Sequence, residues 1–93
     1  MLFAVLCKDK PGHLDVRLAN REAHLAYIRE NWLSKLVSAG PIFDPDGQKM
    51  IGGLLIFDVE DRAKIDNYLA GDPYGKAGLF ESVEVWPHKK VFP

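Results

Sequence analysis

A single cysteine in 93 residues leaves nothing to pair within the chain. An internal disulfide is excluded, and a reducing, cytoplasmic setting is the expectation. No apolar run approaches the ~20 residues that a membrane-spanning helix needs. The opening MLFAVLCKDK carries its basic residues behind the apolar run and has no small-residue cleavage site, so it does not read as a secretory signal. Charge of one sign is also missing: 12 Lys and Arg stand against 13 Asp and Glu, a net of −1. Without a basic stripe there is no electrostatic footprint for nucleic acid. The chain has no GxGxxG, no phosphate loop, no Gly-x-Ser-x-Gly elbow and no low-complexity tract or short-period repeat.

What is there is the composition of a soluble globular protein, 47% hydrophobic and 27% charged. The length suits one domain over residues 1–93. A chain this short buries a limited share of its surface and is often stabilised by association.

The longest helical pattern runs from Asn20 to Gly40. Leu25, Ile28, Trp32 and Leu36 recur at three- and four-residue spacing and so share a helix face. Asn20 is a suitable N-cap, and Gly40 followed by Pro41 is a stop signal. Before this helix, the apolar run Leu2 to Cys7 reads as a buried strand broken by Pro11-Gly12, and His13 to Ala19 reads as a polar connection. After it, Pro41 to Asp44 reads as a short second strand, Pro45-Asp46-Gly47 as a turn, and Met50 to Val59 as a third strand. Gly52-Gly53 within that strand points to a bulge or a close backbone approach. Asp58 to Ala70 reads as a second helix ended by Gly71. Asp72-Pro73-Tyr74 reads as a cap with proline in the first turn of another short helix. Leu79 to Trp86 alternates as the last strand, and Pro87 to Pro93 reads as a tail.

The order β-α-β-β-α-β is the ferredoxin-like α+β arrangement, an antiparallel sheet with its helices on one face. The strands are apolar on both sides, whereas a sheet with one wet face should alternate. The open face is therefore expected to meet a second copy about a two-fold axis.

His24 and Asp72 are the leading candidates for chemistry. Histidine exchanges a proton near neutral pH, and a carboxylate on one ring nitrogen fixes its tautomer and raises the basicity of the other. Arg21, three residues before His24, could hold a carboxylate or phenolate bidentately; it could equally be a solvated charge. Tyr74 could donate a phenolic hydrogen bond into the same cleft, and Gly40 and Pro41 could form its wall. Asp72 as a plain helix cap and His24 as a structural histidine are the competing readings, and the cap does not preclude a bond to the imidazole. Cys7 reads as a buried, inert thiol. His13 between Asp9 and Asp15 matches no metal-ligand spacing and reads as a solvated loop.

Four segments taken together resemble the YciI-like (YCII-related) family: Arg21-x-Ala23-His24-Leu25-Ala26, Ser38-Ala39-Gly40-Pro41, Asp72-Pro73-Tyr74, and Val83-x-Val85-x-Pro87-x-Lys89-Lys90-Val91-Phe92. The resemblance spans nearly the whole chain. It implies a ferredoxin-like fold that dimerises through its sheets as in the dimeric α/β-barrel superfamily, and a His–Asp site falling on His24 and Asp72. Glu22 departs from the proline that close bacterial members carry at that position, and the stretch from Pro41 to Gly53 is shorter than in relatives. One activity in the family removes HCl from a chlorinated hydroxyhydroquinone. Superfamily neighbours include muconolactone isomerases, cofactor-free monooxygenases and stress-responsive barrels. The implied function is cofactor-independent elimination or isomerisation of a small aromatic or lactone-like molecule, with no metal. Two other readings stay open at this level: a non-catalytic dimeric binder or partner domain, and a metal site built on the same two residues.

Overall fold

The computed structural model describes all 93 residues. The elements are β1 (Leu2–Asp9), α1 (Leu14–Asn31), a 3₁₀ turn (Leu33–Lys35), β2 (Leu36–Phe43), β3 (Met50–Asp58), α2 (Arg62–Gly71), a one-turn α3 (Pro73–Lys76) and β4 (Phe80–His88). The strands form one antiparallel sheet in the order β2-β3-β1-β4, the expected ferredoxin-like α+β arrangement. In β1 the alternation sends Phe3, Val5 and Cys7 inward, opposite Phe57, Leu55 and Gly53 of β3. Ile28 of α1 and Ile65 and Tyr68 of α2 close over them to make the core. Burying each such side chain contributes roughly 1.5–3 kcal/mol.

Gly52 explains one sequence signal. It is buried opposite Lys8, and a Cβ there would run into the Cys7 carbonyl oxygen. This is the close backbone approach, and the β1–β3 ladder passes through it without a break.

Several boundaries differ from the sequence reading. Helix α1 begins at Leu14, so Asn20 is not its cap; the Asn20 side chain donates back to the Val16 carbonyl at 2.9 Å. The apolar period is masked there because the inward residue of the first turns is Arg17, which is buried. The helix also ends early, at Asn31. Trp32 donates its backbone N–H to the Ile28 carbonyl at 2.8 Å and sets its ring edge-on against Phe57 and Tyr68. Leu36 therefore opens a strand, and Gly40 and Pro41 lie inside β2 rather than terminating a helix. Proline is tolerated because β2 is a sheet edge and has a partner on one side only. The same reasoning admits Pro87 into β4, which extends to His88 where a tail was expected. Helix α2 starts at Arg62, since Asp58 finishes β3 and pairs with the N-terminal ammonium.

The helices cover one face of the sheet. The other carries Leu2, Ala4 and Leu6 of β1, with Leu54 and Ile56 of β3 and Trp86 of β4 beside them by register. Leu54 and Trp86 are 43% and 61% exposed. No helix is long and apolar enough to cross a membrane.

Candidate active site

Helix α1 carries Arg17, Arg21 and His24 at spacings of four and three residues, which stack them along one face. Helix α3 presents Asp72 and Tyr74 to that face. Asp72 holds an extended backbone, with φ −65° and ψ 121°, at the N-cap of α3, and Pro73 follows at the position where a missing N–H costs nothing. Asp72 Oδ1 accepts the Tyr74 backbone N–H at 3.0 Å. The same oxygen lies 2.8 Å from His24 Nδ1. An ionised carboxylate can only accept, so Nδ1 carries a proton; in the neutral imidazole Nε2 then has the free lone pair, and it has no protein partner. The tautomer is thus dictated by the cap residue. The two side chains are 13% and 1% exposed.

Tyr74 stacks flat on His24, with ring centroids 3.9 Å apart and planes 16° from parallel. Burial pushes its phenol above the ordinary value while the charges of Arg17 and Arg21 pull it back, so Tyr74 remains a hydroxyl donor at neutral pH. Arg17 completes the column, its guanidinium carbon 4.6 Å from the centroid of the Tyr74 ring.

Arg17 is the residue that sequence reasoning missed. It is 4% exposed and makes a bidentate pair with Asp9, Nε to Oδ2 at 2.7 Å and Nη2 to Oδ1 at 3.0 Å. Burial alone would favour the neutral guanidine, but the bond and charge of Asp9 outweigh it and raise the Arg17 pKa. Asp9 consequently leaves the solvated loop in which it was expected and sits buried at the end of β1. His13 turns instead to the Pro11 carbonyl at 2.9 Å. The available signal was the Arg17-x₃-Arg21-x₂-His24 spacing, which puts two cations on the histidine's face.

These side chains line a cavity of about 430 Å³ between α1 and the β2 edge of the sheet. Its volume is within the range usual for small-molecule sites. Arg21, His24, Asp72 and Tyr74 all reach it, and Gly40 and Pro41 form part of its far wall from β2. The six candidates are therefore gathered at one hollow, although Gly40 and Pro41 arrive there on a strand. Cys7 also touches the cavity. Burial, and after it the Asp72 charge, pushes its thiol up to about 12, so it is a protonated thiol at neutral pH. Tyr68 lies within the core with a hydroxyl that has no hydrogen-bond partner; burial, then the charge of Asp72, raises its ionisation.

Comparison with known proteins agrees with this architecture. The family model described as the YCII-related domain matches residues 1–89. Protein YciI of Escherichia coli O6:H1 is 35% identical over 98 residues, covering 99% of this chain and 100% of that protein. A solved structure of 5-chloro-2-hydroxyhydroquinone dehydrochlorinase (TftG) from Burkholderia phenoliruptrix, in complex with 2,5-dihydroxybenzoquinone, is 38% identical. It superposes with a TM-score of 0.86 over 96% of this chain and 94% of that one. An antibiotic biosynthesis monooxygenase shares the fold alone, with a TM-score of 0.57 at 15% identity over 98% of this chain and 99% of that one.

Proposed function

The chain belongs to the YCII-related family, and on that premise we propose that it is a small-molecule enzyme whose acid–base group is His24, oriented by Asp72. One observation carries the proposal: an imidazole at the wall of a cavity, with Nδ1 committed to a buried carboxylate and Nε2 uncommitted. Such a nitrogen takes a proton from a substrate carbon or hydroxyl and returns it elsewhere. The reaction class is elimination or isomerisation of a small aromatic or lactone-like substrate, without a cofactor. In a dehydrochlorination of a chlorinated hydroquinone, Nε2 takes a proton from one ring hydroxyl and returns it to the chlorine-bearing carbon; a second hydroxyl then loses its proton to solvent as its electron pair pushes through the ring and expels chloride, leaving the quinone. Arg21 and Tyr74 bind the oxygens of the substrate, and Gly40 and Pro41 shape the opposite wall. The likeness to TftG, in sequence and in fold, supports a phenolic or quinonoid substrate.

The test is chloride release from 5-chloro-2-hydroxyhydroquinone by the purified chain and by its His24→Gln variant. A positioned acid–base group contributes ~10²–10⁴-fold, and the variant should lose that much. Equal rates in the two proteins remove His24 from the mechanism.

A structural reading of the same pair has one observation in its favour, since Asp72 Oδ1 also caps α3. In that case the cavity binds without turnover. The open apolar face of the sheet further supports a homodimer joined face to face, with the exposed Leu54 and Trp86 at its centre.

A further inference from the structure

We propose that Arg17, clamped by Asp9, is the oxyanion-recognising residue of the cavity, and that the cavity selects a planar ring carrying a negatively charged oxygen. The inference rests on the site reading above and specifies its ligand. A guanidinium has five N–H hydrogens in a fixed fork. Two of those on Arg17 go to Asp9, on Nε and Nη2. Of the other three, one is within reach of the Tyr74 hydroxyl, which lines the same cavity as Arg17, and the remaining two have no protein acceptor. Asp9 does not line it. The compensating charge is thus held behind the arginine while its unused donors face the hollow.

A buried arginine without Asp9 would swing or be too costly to bury; with it, the fork is preorganised and charged. Arg21 differs. It is exposed, lies at the mouth, and has no ion-pair partner. It reaches a substrate oxygen, as proposed above, but water and salt screen its charge, so it adds the smaller, salt-sensitive part of the anion preference.

The geometry also sets the shape of the ligand. Arg17 and His24 both pack against the Tyr74 ring, at 4.6 Å and 3.9 Å from its centroid. Both heads flank one tyrosine ring and line the same cavity, so the ligand that would meet both is a substituted six-membered ring lying alongside Tyr74. One end of such a ring meets the Arg17 donors, and the other presents its proton to His24 Nε2. Arg17 is then a specificity-determining residue, distinct from the acid–base pair.

The experiment measures binding and needs no turnover. Titrate 2,5-dihydroxybenzoquinone, an anion at neutral pH, and hydroquinone, a neutral ring of the same size, into the wild type and the His24→Gln, Arg21→Gln and Asp9→Asn/Arg17→Gln variants. The double variant replaces the ion pair with a neutral hydrogen-bonding pair of similar volume, so no lone charge is left buried. A charged hydrogen bond is worth ~1.5–3 kcal/mol, or about 10- to 100-fold in affinity. The anion should outbind hydroquinone by that factor in the wild type and in His24→Gln. The double variant should lose the preference while binding hydroquinone unchanged. Arg21→Gln should keep most of it, and the remainder should persist from 0.1 M to 1 M salt, where the Debye length falls from ~10 Å to ~3 Å. If the double variant does not fold, this salt-insensitive preference in Arg21→Gln carries the test.

A preference that vanishes in Arg21→Gln overturns the assignment, as does an undiminished preference in the folded double variant. Binding of both rings without preference overturns the Arg17 role and leaves the acid–base proposal standing. Failure of both rings to bind the wild type overturns both. A preference retained in His24→Gln together with undiminished chloride release supports Arg17 and sinks the catalytic reading alone.

Discussion

Asp72 has two jobs that substitution can separate. Its Oδ1 takes the His24 Nδ1–H at 2.8 Å and the Tyr74 N–H at 3.0 Å, in a residue only 1% exposed. Alanine removes both. Loss of an N-cap costs ~1 kcal/mol. Loss of a hydrogen bond to a charged acceptor adds ~1.5–3 kcal/mol. Asp72→Ala should therefore destabilise by about 2.5–4 kcal/mol, and at roughly 4–8 °C per kcal/mol for a domain of this size the Tm should drop by ~10–30 °C. Asparagine keeps the shape and is as good a cap, so Asp72→Asn should retain the Tyr74 bond and most of the stability. What it removes is the negative charge that commits the proton to Nδ1. Amide-for-carboxylate exchange behind a catalytic histidine can cost up to ~10⁴ in rate through the wrong tautomer. The expected pattern is a near-normal melt with activity down ~10²–10⁴-fold for Asn, against a low melt for Ala. Thermal unfolding and the ¹⁵N ring correlations of His24 read the two effects independently. A wild-type spectrum showing the proton on Nε2, or an unchanged melt for Asp72→Ala, would refute the reasoning.

Three further outcomes are expected. Gly71→Ala would place a Cβ about 2.8 Å from Tyr27 Cζ, displacing the hydroxyl that donates to the Tyr68 carbonyl at 2.9 Å. Overpacking of this kind costs ~1–3 kcal/mol, and an unchanged denaturation midpoint would contradict it. Cys7 keeps its proton in the folded state to about 12, whereas its ordinary value is 9.0. The unfolded chain thus loses that proton first. The Cys7 contribution is intact below pH 9.0 and is lost as pH rises toward about 12, by at most ~1.4 kcal/mol per pH unit. Stability curves of wild type and Cys7→Ala should diverge in slope only above pH 9.0. Trp86→Glu puts a charge on the open apolar face, and light scattering should report a shift from dimer to monomer; a wild type that is already monomeric ends the face-to-face proposal.

The continuous apolar run Leu2 to Cys7 declares a buried strand because it is too short for a helix and stops at charged Lys8-Asp9-Lys10. The Asp72-Pro73-Tyr74 cap is equally local, since a carboxylate, a missing N–H and the next N–H lie within three residues. Reading fails where a helix faces its interior with charge. The inward residue of the early α1 turns is Arg17, so the apolar stripe starts late and Asn20 looks like a beginning. It fails again at Trp32, where packing on Phe57 and Tyr68 ends the helix without glycine or proline. Gly40-Pro41 has the chemistry of a helix stop but lies inside β2, because packing has already ended the helix.

For the site, the residue types alone marked His24, Asp72, Arg21 and Tyr74, because protonation chemistry and capping belong to individual side chains. That Asp9 and Arg17 are partners was decided only by the fold. The end of β1 and the first turns of α1 meet where both side chains are only 5% exposed, and neither ion can be buried there without the other. The same packing stacks Tyr74 between the arginine's reach and the imidazole. Chemistry was written in the amino acids; which charges face the hollow and which stand behind was settled by burial.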